Sequence, residues 1–224
     1  MSKSRLICFI GIDGSGKTTL ARRLTEEMSK NGIKTKYLMG RFEKFILLKP
    51  CYWVVKKMFL SRVKTDQSAE GVRTKRGLFK NRCVARMWQF SLEVDYLIQL
   101  GYKVRLPLML GTSVCADRYI YDTLVDLTAD SALSVSKMQS SLNALLRVAP
   151  RSDIVFLVDL PEDIAYERNL AKKDNLSLEY LRQRRRLYLN FKERYEVEVV
   201  DGLHSPGELF HEILKKLKSR KILV

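Results

Sequence analysis

Gly11-Ile12-Asp13-Gly14-Ser15-Gly16-Lys17-Thr18 has the spacing G-x-x-x-x-G-K-[ST]. Glycines at these positions let the backbone turn successive N–H groups inward as an anion nest. A lysine placed next can reach the β- and γ-phosphates, and the following hydroxyl can hold Mg²⁺. The pattern follows the apolar run Leu6–Ile10 and opens a segment carrying Leu20, Leu24 and Met28 at four-residue spacing, the strand-then-helix context that such a loop needs. It implies binding of a nucleoside triphosphate through Gly11, Asp13, Gly14, Ser15, Gly16, Lys17, Thr18 and Thr19. Asp13 is unusual there, because an acid opposes the ligand's charge. Either it caps the loop or pairs with a neighbouring lysine, or it points at a hydroxyl of a second substrate, which suits a phosphotransferase better than a plain ATPase.

A second constellation stands at the end of another apolar run. Asp117-Arg118-Tyr119 follows Ser113–Ala116, and the carboxyl edge of an open parallel sheet is where ligands bind. An aspartate there can hold Mg²⁺, directly or through water, while the arginine offers a two-pronged fork to a phosphate. The bland alternative is a surface Asp–Arg pair at a helix start.

The elements that must position these residues can be read from patterning. Strands are expected at Leu6–Ile10, Tyr37–Met39, Ser113–Ala116, Ile154–Val158 and Val197–Val200. Helical spacing covers Thr18–Lys30, which stops at Asn31-Gly32, and Arg82–Leu100. Pro161 opens a helix through Ala171, Ser177 can cap a basic one through Tyr195, and Pro206-Gly207 begins the last. Alternation of strands and helices implies an α/β fold with a parallel sheet covered on both faces, at 224 residues one domain.

Other classes are disfavoured. The amino terminus lacks a cleavage site after its short apolar run, and no stretch of about 18 uninterrupted apolar residues exists. Cys8, Cys51, Cys83 and Cys115 are far apart, without a C-x-x-C pair, and His204 and His211 are the only histidines, so a structural zinc site is not expected. A reduced, cytoplasmic protein is the expectation. The net charge is +16, which asks for an anionic partner without saying which. From Lys36 to Arg86 there are 14 lysines and arginines against Glu43, Asp66 and Glu70, so +11 lies in that one span. Its apolar runs, Phe45-Ile46-Leu47-Leu48 and Tyr52-Trp53-Val54-Val55, read first as the packed face of acceptor-side helices. Anionic lipid or nucleic-acid phosphates are the alternative partners for 36–86.

Taken in order, the loop Gly11–Thr19, Asp117-Arg118-Tyr119, Pro150, Asp153, Phe156-Leu157-Val158-Asp159-Leu160-Pro161-Glu162, Arg168, Val200-Asp201-Gly202, Pro206 and Glu208 resemble the thymidylate kinase family of P-loop nucleoside-monophosphate kinases. The resemblance implies a three-layer fold with a five-stranded parallel sheet. It implies an acceptor-side helical region at about 41–100, a short lid at about 168–177, a homodimer, and Mg²⁺-dependent transfer of the ATP γ-phosphate to a nucleoside 5′-monophosphate such as dTMP. It also implies that Asp13 reaches the sugar 3′-hydroxyl, that Arg118 grips the acceptor phosphate, and that Asp117 is its magnesium-linked neighbour. With Ser rather than Arg at position 15, the catalytic arginine is expected in the lid.

Three departures from the family pattern concern the acceptor. Gly40-Arg41-Phe42-Glu43 replaces an Arg-Glu-Pro-Gly-Gly segment, with Arg41 still able to reach the acceptor phosphate. Tyr96 stands where an arginine usually addresses the base. Asp122 replaces a usual serine, and Asp126 falls near a tyrosine associated with selecting deoxyribose. Candidate acceptor residues are therefore Asp13, Arg41, Tyr96, Arg118 and Tyr119, and Lys17, Asp117 and Arg118 are the expected catalytic set, with Thr18 and Asp117 for the metal. Arg168, Lys172 and Lys173 are lid cations. Arg182, Arg184, Arg185 and Arg186 cannot all share one helix face, and Arg182 or Arg185 is expected to turn towards the nucleotide. A nucleoside or other small-alcohol kinase is the competing enzyme, and an NTP-dependent nucleic-acid or membrane-surface protein the competing class.

Overall fold

The structure, a computed structural model, describes residues 4–40, 94–131, 135–171, 176–192 and 195–223. The chain divides into two units, Met1–Arg41 with Lys103–Val224, and Phe42–Tyr102. Of the second, the described residues are 94–102, where 94–100 is α-helical and Gln99 Nε2 donates to Asp95 Oδ2 one turn back at 2.6 Å.

The first unit holds five strands: β1 (Leu6–Ile10), β2 (Thr35–Met39), β3 (Ser113–Asp117), β4 (Ile154–Asp159) and β5 (Val197–Asp201). They pair in the order β2-β3-β1-β4-β5, every neighbour parallel. β1 and β3 are buried at every residue, as strands covered on both faces must be, and apolar residues run without alternation through β1 and through Val114–Ala116 of β3. The chain leaves β1 towards β2 and β3, then crosses to the other side for β4 and β5. The carboxyl ends of β1, β3 and β4 therefore meet where the winding reverses, the crevice in which such sheets bind ligands.

Six helices are labelled in this unit: α1 (Lys17–Lys30), α2 (Ile120–Ser131), α3 (Val135–Val148), α4 (Glu162–Ala171), α5 (Leu178–Lys192) and α6 (Pro206–Ser219). A π-helical turn, Gly101–Arg105, runs into the short helix Leu106–Met109 before β3. Leu20, Ala21, Leu24 and Met28 of α1 join Leu209, Phe210, Ile213 and Leu217 of α6 over Ile7, Phe9, Phe156 and Val158 in one buried cluster. Leu6, Cys8 and Ile10, which point to the opposite face, are just as inaccessible. The caps follow chemistry visible in the sequence. Ser205 and Glu208 form a reciprocal capping box ahead of α6, and Ser177 Oγ accepts from Tyr180 N–H at the start of α5. Helices α2 and α3, which patterning did not single out, fill the connection between β3 and β4.

Candidate functional site

The loop between β1 and α1 is held from below by close backbone approaches. Gly11 has φ +144°, and a Cβ there would lie 2.6 Å from the Val158 carbonyl oxygen, so glycine is required for β4 to sit against the loop. Lys17, in the first turn of α1, is buried and donates to the Ile12 carbonyl at 2.9 Å. Burial, with Arg118 beside it, pushes its ammonium down to about 8 despite Asp13 nearby. Thr19 is exposed one residue beyond Thr18.

β3 delivers Asp117 to the same place. The Thr18 hydroxyl donates to Asp117 Oδ2 at 2.6 Å, and the Tyr37 hydroxyl from β2 donates to the same oxygen at 2.9 Å. Asp117 Oδ1 is buried and has no hydrogen-bond partner among the described residues. That fits a Mg²⁺ ion: an anionic oxygen stands uncommitted beside a threonine oxygen whose proton is already turned away. Among the described residues no group of three or more His, Cys, Asp or Glu is arranged to hold a metal, and Mg²⁺ seated on phosphates needs only one or two protein oxygens.

Arg118 follows in a left-handed conformation, φ +74°, rare for a side-chain-bearing residue and typical of functional turns. The turn is fixed by Gly40, whose N–H donates to the Asp117 carbonyl at 2.8 Å. A Cβ on Gly40 would lie 1.8 Å from the Arg118 carbonyl oxygen. Arg118 Nη2 pairs with Asp13 Oδ1, and Arg118 Nη1 is buried without a partner among the described residues. Burial opposes the arginine's charge, but Asp13 and Asp122 outweigh it and raise its pKa.

Asp13 is the hub of the cluster. Lys17 Nζ is 3.7 Å from Oδ1, and Oδ2 accepts from Arg184 Nη1 at 2.8 Å. Asn169 of α4 donates to the Asp13 carbonyl at 3.0 Å, and Arg168 Nη1 donates to the Gly14 carbonyl at 3.3 Å. Of the two open readings for Asp13, pairing with cations is thus realised, and its partners come from β3 and α5 as well as the loop.

Tyr119 and the arginines of α5 make contacts of their own. Tyr119 is fully buried, and its hydroxyl donates to the Pro150 carbonyl at 2.9 Å, away from this cluster. Asp122 caps α2 by accepting from Tyr119 N–H at 3.0 Å and takes the Tyr188 hydroxyl at 2.7 Å. Burial raises its pKa. Neither Arg182 nor Arg185 turns towards Asp13. Arg185 forks onto both oxygens of Asp159 at 2.7 and 2.9 Å and reaches Glu162 at 2.8 Å, while Arg182 bonds Glu162 and Glu179. Those contacts hold Glu162 down to about 2. Arg184 goes inward instead. It falls on the stripe Leu181, Arg184, Leu187, Tyr188 and Phe191 that α5 buries, a stripe whose spacing was the signal for its direction. Tyr96 lies on the helical stretch 94–100 of the other unit. Arg41, Lys172, Lys173 and nearly all of 36–86 lie outside the described residues.

A scan against models of protein families finds none that matches. Individual relatives do. A probable thymidylate kinase of Metallosphaera sedula is 29% identical, covering 88% of this chain and 84% of its own. A probable thymidylate kinase of Pyrococcus abyssi is 30% identical, with 93% of each chain covered. The chain belongs to the thymidylate kinase family. The thymidylate kinase of Leptospira borgpetersenii, 25% identical over 96% of this chain, extends the likeness from end to end. Membership accounts for the five-stranded parallel sheet.

Proposed function

We propose that this protein is an ATP-dependent nucleoside-monophosphate kinase whose acceptor is dTMP. The observation that carries the reading is the convergence of Lys17, Asp117 and Arg118 at one sheet edge, with buried Asp117 Oδ1 and Arg118 Nη1 uncommitted. Phosphoryl transfer asks for little covalent help; it asks for two anions held in line and their charge neutralised. In the reaction an acceptor phosphate oxygen attacks the γ-phosphorus of ATP. That O–P bond forms as the bond to the β–γ bridging oxygen breaks, and ADP leaves.

Each residue has a role that its surroundings suit. The loop N–H groups and Lys17 hold the donor phosphates, since a desolvated ammonium exchanges the Ile12 carbonyl for anionic oxygens to its advantage. Arg118 supplies the acceptor-phosphate fork through Nη1. Thr18 and Asp117 would hold Mg²⁺, which supplies charge neutralisation of the donor phosphates when bound. Arg168, exposed and already touching the loop at Gly14, is the lid cation. The buried, unpaired thiols of Cys8 and Cys115 fit a reducing cytoplasm, and the family suggests a homodimer. A coupled assay of ADP release over dTMP, dUMP, UMP and CMP tests the assignment: acceptor-dependent turnover, fastest with dTMP, is expected. Turnover with nucleosides rather than monophosphates overturns it.

A further inference from the structure

Arg184 is among the largest side chains that are fully buried, and the mechanism above does not use it. Taking a guanidinium out of water costs several kcal/mol unless it is paired. Arg184 is paired twice. Nη1 donates to Asp13 Oδ2 at 2.8 Å, Nη2 pairs with Asp126 Oδ1 and lies 3.4 Å from the Tyr188 hydroxyl, and the Tyr180 ring stacks 5.3 Å from its central carbon. Burial disfavours its charge, yet Tyr188, Asp126 and Asp13 more than compensate, so it stays protonated.

The two oxygens of Asp13 are thereby divided. Oδ1 faces Arg118, with Lys17 at 3.7 Å, and Oδ2 faces Arg184. Arg118 is the partner with other work, and its Nη1 makes no bond within the described residues. When Arg118 turns towards a phosphate, Arg184 still holds Asp13 through Oδ2. Arg184, clamped between Asp126 and Tyr188, has no such freedom.

We propose that Arg184 is a positioning residue for acceptor binding: it holds Asp13 through Oδ2 while Arg118 and Oδ1 are released to the acceptor's phosphate and sugar hydroxyl. The proposal rests on the monophosphate-kinase reading. It separates two cations that the sequence motif presents as one acid with one arginine, and it places the second on α5, 171 residues from Asp13.

The test is a double-mutant cycle read as separate kinetic constants for dTMP and ATP. Arg184→Met is expected to raise KM for dTMP about tenfold, the order of one charge-assisted bond, with KM for ATP within twofold. Arg184→Lys, which keeps the charge, is expected to recover most of that loss. In an Asp13→Asn background, Arg184→Met is expected to add less than twofold, because the oxygen it serves is no longer anionic. If Arg184→Met does not fold, Arg184→Gln, which also removes the charge, carries the same comparison in the two backgrounds. Equal penalties in both backgrounds, or parallel changes in both KM values, overturn the proposal. Absence of dTMP-dependent ADP release from the unmodified protein would instead overturn the kinase reading.

Discussion

Lys17 carries a charge that its buried surroundings disfavour. Its pKa is pushed down to about 8 by burial and by Arg118, whereas in the ternary complex phosphate oxygens favour the charged form. The logarithm of kcat/KM for ATP, which reports the free enzyme, is therefore expected to bend downwards above about pH 8. The logarithm of kcat, which reports the complex, bends only at higher pH. Coincident basic limbs would show that Lys17 does not meet the phosphates. Linkage has the matching sign. A lysine with a depressed folded pKa weakens the empty fold below that pKa, and the penalty fades as pH rises from about 8 towards the ordinary lysine value. Arg118 makes a separate prediction. Arg118→Ala removes an acceptor-phosphate fork worth about 1.5–3 kcal/mol, so KM for dTMP is expected to rise by roughly 10- to 100-fold at little cost to ATP binding. Steady-state titration of each substrate checks both numbers.

At the scale of elements, the site depends on how closely three strand ends approach. Gly40 closes β2 onto the turn after β3, where a Cβ would come 1.8 Å from the Arg118 carbonyl. Backbone must move to admit a methyl group there. Gly40→Ala is expected to cost about 1–3 kcal/mol, the range for overpacking, and to displace Asp117 and Arg118 enough to abolish turnover. Gly207→Ala, whose methyl meets nothing closer than 3.9 Å, is expected to leave both melting temperature and rate unchanged. The strands were legible in the sequence because β1 and the centre of β3, Val114–Ala116, are uninterrupted apolar runs, and the loop because its glycines and lysine act locally. Asp117 and Arg118 were legible by position at a strand end. Arg184 was harder: its carboxylate partners lie on α2 and in the loop, and a run of arginines reads as a solvated face unless its phase is compared with Leu181, Tyr188 and Phe191. Tyr119, adjacent to Arg118 in the motif, is turned into the core by α2 and bonds Pro150. Adjacency in a sequence does not fix direction in a loop.

For the whole molecule, the charge of +16 is divided unevenly between chemistry and surface. Lys17, Arg118, Arg168 and Arg184 gather around the loop, and each of the buried ones is offset by Asp13, Asp117, Asp122 or Asp126 nearby. These charges are thus close to balanced among themselves. No described helix is long and apolar enough to cross a membrane. Phosphorus NMR distinguishes transfer from hydrolysis without coupling enzymes. Protein, ATP, Mg²⁺ and dTMP in one tube are expected to yield ADP and dTDP in equal amounts, with neither product when dTMP is omitted. ADP accompanied by orthophosphate, at a rate indifferent to dTMP, would contradict transfer.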